Sequence, residues 1–269
     1  MDALQPLRQF FSNFDADGRV VRSRPVGGGM GSHLRVFSGN LMNGRADPEA
    51  FVDLVRRCDA DLVAVQELSP EQARALGRVF PHGRLEPARD FTGMGIVARH
   101  PAEFDRVPLA FRDARIARLE PAHWPALTGA LEIVNVHIAS PAWGTQAWSR
   151  FVCRRAQSRG LLEYLDRSPE QARAVLGDFN ATPAWPLYRV VAEPLEDLAR
   201  THARNRGAKP ARTWARWVGG PPLLRIDHCF GCGVRVDDFQ VVAIRGSDHS
   251  GLVVDLSVDE RVALETPDC

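Results

Sequence analysis

Lysine is almost missing from this chain. Of 34 basic residues only Lys209 is lysine; the rest are arginine, which favours bidentate phosphate contacts over point-charge ones. Against 33 acidic residues the net charge is +1, so the chain has no broad basic field of the kind that binds nucleic acid non-specifically. Cysteine is sparse as well. The five cysteines, at 58, 153, 229, 232 and 269, are odd in number and widely spaced, which argues against a disulfide framework. Cys229 and Cys232 form a CxxC, but no second pair completes a zinc site, and both read as strand residues. No apolar run is long enough for a transmembrane helix. Met1-Asp2-Ala3-Leu4 lacks the basic and apolar regions of a signal peptide. These absences point to a reducing compartment, the cytoplasm. Internal repeats are also lacking, and Gly27-Gly28-Gly29 is the one low-complexity run.

What is present is ordinary globular material. With 269 residues, 45% hydrophobic and 25% charged, the chain suits one large domain with its own core. Residues 1–32 read as a flexible N-terminal extension. It holds a short amphipathic helix over Pro6–Phe14, and the glycine run acts as a joint before the first strand. Residues 33–260 form the domain, and 261–269 a C-terminal tail.

The domain begins as strand, helix, strand, helix. Strands are expected over Leu34–Ser38 and Asp61–Gln66. Asp47-Pro48-Glu49 and Ser69-Pro70-Glu71 open the helices that follow them, each with a capping side chain and a proline at the first position. Short β-rich runs then succeed one another: Met94–Arg99, Phe104–Pro108, Arg115–Leu119 and Ala130–His137. A long helix is expected over Gly144–Asp166, with Phe151, Val152, Leu161, Leu162 and Leu165 among its apolar positions. The apolar run Ala174-Val175-Leu176 feeds Gly177-Asp178-Phe179-Asn180, and Pro183 sits where a helix could start. A short helix near Trp185–Val191, a polar loop over Thr201–Ala211 and three strands complete the chain. Those strands are Leu223–Phe230, Val234–Val242 and Leu252–Leu256.

Polar residues collect where these strands end: Asn40, Glu67, His137, Asp178 with Asn180, and Asp248 with His249. Asp178 and Asn180 are two apart, so on extended backbone both point the same way. Taken singly, each of these residues has an ordinary reading as a turn former, a solvated acid or a satisfied strand histidine. Asp227 is different, because it lies in the run Leu223-Leu224-Arg225-Ile226-Asp227-His228. A carboxylate there is expensive unless it is paired or faces a site. His249, beside Asp248 and on a neighbouring strand, suggests a carboxylate–imidazole pair with Asp227. Carboxylates and amides are hard oxygen donors that suit Mg2+ or Mn2+ rather than zinc. Joined to histidines that transfer protons, they form the toolkit of phosphate-ester hydrolysis.

In order along the chain, these segments resemble the endonuclease/exonuclease/phosphatase superfamily. The motifs are Val36-Phe37-Ser38-Gly39-Asn40-Leu41, Asp61-Leu62-Val63-Ala64-Val65-Gln66-Glu67-Leu68, Val134-Asn135-Val136-His137, Gly177-Asp178-Phe179-Asn180, Arg225-Ile226-Asp227-His228 and Ser247-Asp248-His249. Gly93–Arg99 and Thr213-Trp214 match more weakly. The resemblance implies a four-layer α-β-β-α sandwich of two mixed β-sheets, as in deoxyribonuclease I. It implies Glu67 as the main Mg2+ ligand with Asn40 beside it and Asp248 completing the shell. Asp178 and Asn180 would position the attacking water and the phosphoryl group, Asp227 would orient His249, and His137 and His249 would flank the scissile phosphate. Apurinic endonucleases usually carry tyrosine where His137 stands, so the chain is similar to the histidine-bearing branch. Gly39 replaces the usual bulky residue before the first asparagine, which removes a packing group from the pocket floor. Arg154 and Gln157 match an RxxQ pattern that braces the sheet. The function implied is a Mg2+-dependent phosphodiesterase acting on nucleic acid. Its competitors are hydrolysis of a smaller phosphate ester, such as a lipid headgroup or inositol phosphate, and a non-catalytic binding module. An arginine cluster at Arg200, Arg204, Arg206 and Arg212 would supply phosphate contacts, or is simply a solvated loop.

Overall fold

The fold is a computed structural model, described for residues 33–141, 147–167 and 172–258. The Pro6–Phe14 helix, the rest of the 1–32 extension and the 261–269 tail lie outside the described residues.

A two-residue period builds most of the molecule, because side chains alternate between the faces of a strand. In β1 (Leu34–Asn40) Leu34 and Val36 point into one apolar cluster and Phe37 into another; in β2 (Leu62–Gln66) Leu62 and Ala64 oppose Val63 and Val65. Both faces are therefore covered, and these strands are apolar throughout rather than half polar. The elements that follow are α1 (Pro48–Arg57), α2 (Pro70–Gly77), β3 (His82–Glu86), β4 (Met94–Ala98), β5 (Glu103–Val107), β6 (Ala114–Leu119), β7 (Leu131–His137) and α3 (Ala147–Arg167). Then come β8 (Arg173–Asp178), α4 (Pro186–Ala192), β9 (Glu196–Asp197), α5 (Leu198–Asn205), β10 (Asp227–Cys232), β11 (Val234–Ala243) and β12 (Ser250–Val258). The first two helices start as their sequences dictate. Asp47 accepts from Ala50 N at 2.8 Å, and Ser69 and Gln72 cap each other reciprocally.

Each of the two sheets has six strands, in the orders β11-β12-β1-β2-β4-β3 and β5-β6-β7-β8-β10-β9. Three apolar clusters separate four layers. Val36, Leu62, Ile133, Leu176 and Val254 pack between the sheets. Phe37 and Val63 meet Phe51 of α1 and Leu76 of α2, while Val136 and Phe230 meet Leu161 of α3 and Tyr188 of α4. The α-β-β-α sandwich is thus confirmed. Fully buried Phe37, Phe51, Phe179 and Phe230 each contribute roughly 1.5–3 kcal/mol by leaving water.

Sheet direction decides where function can sit. Among the described residues, only β1 with β2 and β7 with β8 run parallel. Their C-terminal ends carry Asn40, Gln66 next to Glu67, His137 and Asp178. The antiparallel strands β10 and β12 start at the same edge, with Asp227 opposite Asp178 and His249 just before Ser250. Six strand ends therefore meet at one rim.

Four sequence expectations are corrected. The strand placed at Leu223–Phe230 begins only at Asp227; before it, Leu224 makes an isolated bridge to Trp214, and the Ile226 and Asp227 amides donate to Thr213 Oγ1 instead of to a neighbouring strand. The polar loop Thr201–Ala211 starts inside α5, whose Leu198, Ala199 and Ala203 are buried. Helix α4 starts at Pro186, not Pro183, with Trp185 as its N-cap. Phe151 and Val152 of α3 are exposed rather than part of its packed stripe. Of the arginine cluster, Arg206 pairs with Asp238 at 3.4 Å, and Arg204 and Arg212 are exposed. Among the described residues no helix is long and apolar enough to cross a membrane.

Candidate active site

Asn40, at the end of β1, joins the two sheets. Its Nδ2 donates to Glu67 Oε1 at 3.2 Å and to Asp178 Oδ2 at 3.1 Å, while its Oδ1 accepts from Met42 N at 2.9 Å. Glu67 ends β2 with φ 55° and Asn180 follows β8 with φ 48°, left-handed conformations uncommon away from glycine. Such strain persists where the surrounding structure over-determines it, and here it turns both side chains toward the rim. Asn180 N and Nδ2 donate to the two oxygens of Asp178 at 2.8 and 2.9 Å, and Nδ2 also reaches Ile138 O at 3.0 Å. Burial pushes the Glu67 and Asp178 carboxyls above the usual carboxylate range, against the hydrogen bonds that favour their charge.

The two histidines meet these acids from opposite electrostatic positions. His137 Nε2 lies 3.5 Å from Asp178 Oδ2 and 3.7 Å from Glu67 Oε1. Burial, then Arg112 and His249, drive its pKa well below that of free histidine, so it is neutral. His249 Nδ1 lies 3.1 and 3.0 Å from the Asp227 oxygens, and its Nε2 is 4.0 Å from Asp178 Oδ2. Burial opposes its charge, but the Asp227 and Asp178 carboxylates outweigh that and push it up to about 10. Like charges directly opposite on neighbouring strands are unfavourable, as Asp227 and Asp178 are here. The imidazolium between them removes that cost. One fold thus holds one neutral and one charged imidazole a few ångströms from the same carboxylate.

A second set of contacts fixes these side chains. Asp227 Oδ2 accepts from Thr213 Oγ1 at 2.6 Å, and Thr213 Oγ1 accepts from the Ile226 and Asp227 amides at 3.2 and 3.1 Å. Ser247 Oγ donates to Asn40 O at 2.8 Å and accepts from His249 N at 3.0 Å, tying the last loop to β1. Asp248 Oδ2 accepts from the Trp214 indole N–H at 3.0 Å. Gln157 of α3 accepts from Ala139 N at 2.8 Å and donates to His137 O at 3.3 Å. Arg154 donates to Ala139 O and to Asn180 O, so the RxxQ pair braces the segments leaving β7 and β8. Gly177, at φ 131°, precedes Asp178 where a Cβ would stand 2.1 Å from Val136 O and 3.1 Å from Gln66 Nε2. At Gly39 the missing bulk is supplied by neighbours, since a Cβ there would meet Ile244 Cδ1 at 2.6 Å and Phe37 Cε1 at 3.1 Å.

Arg112 escaped sequence reasoning. It lies between β5 and β6 and is 8% exposed, and its Nε and Nη1 are buried without a hydrogen-bond partner. Burial lowers its pKa, while the charges of Glu67 and Asp178 act to raise it. A buried, under-bonded guanidinium beside two carboxylates is prepared for an anionic oxygen. Nothing in Ala110-Phe111-Arg112-Asp113 distinguishes it from the other arginines, so the sequence offered no signal.

For a metal, two sets of residues come into question. Asp178, Asp227 and His249 offer ligand atoms within 4.8 Å of one another, but the shared proton of His249 already explains that closeness. Glu67 and Asn40 form the other set: Glu67 brings a carboxylate whose pKa burial raises, and Asn40 an amide whose Oδ1 here accepts from Met42 N. That donor chemistry fits a divalent cation of the Mg2+ kind.

A sequence profile of the Endonuclease/Exonuclease/phosphatase family matches residues 36–249, which spans every residue of the rim. No curated protein matches the chain. Several solved structures share its fold. The human Nocturnin catalytic domain with bound sulfate is 18% identical, with a TM-score of 0.61 over 85% of this chain and 95% of that one. TDP2 of D. rerio complexed with single strand DNA product is 18% identical, with a TM-score of 0.59 over 84% of this chain and 99% of that one. The Neisseria 3′ phosphatase NExo bound to a product DNA hairpin is 16% identical, with a TM-score of 0.62 over 82% of this chain and 98% of that one.

Proposed function

Because the chain belongs to the Endonuclease/Exonuclease/phosphatase family, we propose that it is a Mg2+- or Mn2+-dependent phosphodiesterase whose substrate is nucleic acid. The observation that carries this reading is the convergence of His137 and His249 on Asp178, at 3.5 and 4.0 Å, with Asn40 holding Asp178 to Glu67; burial lowers the pKa of the first imidazole and carboxylates raise that of the second. Pairs of titratable groups pushed apart mark acid and base assignments. The DNA products in the TDP2 and NExo structures support nucleic acid as the substrate class.

Glu67 and Asn40 would hold the cation, with Asp248 offering the oxygen not taken by Trp214. When bound, it polarises a phosphoryl oxygen and neutralises developing charge. The side chains do the rest. Asp178, positioned by both donors of Asn180, takes a proton from the attacking water. Its raised pKa makes it a better base than a free carboxylate. His249 holds its proton across neutral pH and gives it to the leaving ester oxygen as its bond to phosphorus breaks, while Asp227 keeps the ring oriented. His137 flanks the phosphate from the β7 side, and Arg112 presents its unpartnered N–H groups to the phosphoryl oxygens.

The test is a panel of plasmid DNA, RNA, sphingomyelin and inositol phosphates with Mg2+, with and without EDTA. Nucleic acid should be cut, EDTA should abolish cutting, and Asp178→Ala should be inactive. Glu67→Ala and His249→Ala should each lose about 100- to 1,000-fold in turnover. Full activity in chelator would end the metal mechanism. Hydrolysis confined to the lipid or the inositol phosphates would end the nucleic-acid reading, and activity on nothing would leave a binding module.

A further inference from the structure

Large aromatic side chains are exposed beside this rim. Phe111 is 54% exposed, Trp148 74%, Phe151 54% and Trp185 37%, and each is interleaved with arginine. Trp148 and Phe151, one turn apart at the start of α3, stack at 5.8 Å with an interplanar angle of 28°, giving one flat apolar face. Phe111 lies between two guanidinium groups, Arg112 at 4.8 Å and Arg150 at 5.2 Å from its ring centre. Trp185 is covered on one side by Arg154 at 5.5 Å.

These rings are wired to the chemistry. Arg112 acts electrostatically on Glu67, Asp178 and His137, and Arg154 donates to the carbonyl of Asn180. The backbone adds a second, independent sign. Phe111 sits at φ 75°, a left-handed conformation that is a genuine outlier for a bulky residue. Phe111 is left half exposed there, while the next residue, Arg112, is buried. A strained turn that displays an aromatic ring at a catalytic rim is a candidate ligand clamp.

We propose that Phe111, Trp148, Phe151 and Trp185 form a stacking platform for the unpaired bases of a single-stranded nucleic acid whose phosphate lies in the site. The polymer's identity rests on the function proposed above. The alternation of ring and guanidinium is what selects the occupant. Bases stack on the rings, Arg112 holds the phosphate in the site, and Arg150, half-buried beside Phe111, pairs with a flanking one, while Arg154 backs Trp185. A duplex hides its base faces, so it gains nothing from the rings. A lipid surface would reward the rings but not guanidinium groups turned inward to a phosphate site.

The test measures anisotropy of an end-labelled oligonucleotide of about 12 nucleotides, alone or annealed to its complement. The full-length chain is used in EDTA, so that the strand stays intact. Trp148→Ala with Phe151→Ala, and separately Phe111→Gly, should each weaken single-strand binding about tenfold and duplex binding less than twofold. Phe111→Gly relieves the strained φ, so a loss of binding there does not come from unfolding; thermal melting checks the pair. Equal losses on both forms, unchanged single-strand affinity, or binding to phosphatidylserine vesicles in place of the strand would overturn the platform. Cutting assays on the wild type separate the two proposals. A chain that cuts no nucleic acid but binds the single strand through these rings keeps the platform and loses the activity. A chain that cuts nucleic acid and is indifferent to the rings does the reverse.

Discussion

Arg112 and His228 are both buried nitrogen groups, and they meet opposite surroundings. Arg112 faces carboxylates. Arg112→Gln keeps a polar tip and removes the charge, so kcat/KM should fall about 100-fold; a value within twofold of wild type in steady-state assays would deny it the phosphate. His228 faces aromatic rings, with Tyr188 at 5.0 Å and Phe179 at 5.6 Å, and its Nε2–H donates to Ala181 O at 2.7 Å. Burial, then Arg225, pushes its pKa from 6.5 down to about 4. Below pH 6.5 the unfolded chain binds a proton that the folded chain refuses until about 4, so stability falls as pH drops through that window. The group should cost about 2 kcal/mol between pH 7 and pH 5. Urea melts of His228→Gln should show a shallower pH dependence than wild type, and an identical dependence would refute the assignment. The residues legible in the sequence were those whose side chains break an apolar pattern, such as Asp227, or end one, such as Glu67 and Asp178. Arg112 ends no strand and interrupts no stripe, and only the packed fold shows where it points.

Among the elements, α3 does more than cover a sheet. Gln157 saturates the amide of Ala139 and the carbonyl of His137, both buried. Gln157→Ala strands that amide and should cost about 1–3 kcal/mol of stability. Because it also frees the chain at His137, turnover should fall with KM little changed; wild-type melting and turnover together would show that the brace is idle. The RxxQ spacing made this contact readable in advance. The strands with two apolar faces and the helices with proline-flanked caps were equally legible. Others left too little pattern. β3 is an edge strand with one apolar side chain, Leu85; β9 is two residues long; and α5 buries only Leu198, Ala199 and Ala203 amid polar neighbours. Exposed Phe151 and Val152 of α3 misled in the other direction, since an apolar residue on a helix is usually part of its packed face.

At the scale of the whole molecule, the sheets are joined by polar contacts as well as by apolar packing. Asn135 of β7 accepts from Gln66 of β2 at 2.6 Å and donates to Val65 O at 3.0 Å and Gly95 O at 2.9 Å. Gln66, Val65 and Asn135 itself each sit within two residues of a rim side chain, Glu67 or His137. Asn135→Leu removes three hydrogen bonds at this seam and should cost about 3 kcal/mol in chemical denaturation, with turnover reduced in the folded fraction. A loss below 0.5 kcal/mol would mean that the seam is held by apolar contact alone. The sandwich itself came from the family resemblance, with which the run of strands and helices agreed; this seam was not legible, because Gln66 and Asn135 are 69 residues apart and neither breaks a pattern by itself. The order of the strands has one more consequence. β12 lies between β11 and β1, inside its sheet, and His249 directly precedes it. During synthesis the ribosome therefore delivers His249, and the partner of the first strand, after every other part of the rim. A nascent chain still tethered to its own message carries Glu67, His137 and Asp178 with nothing to complete them.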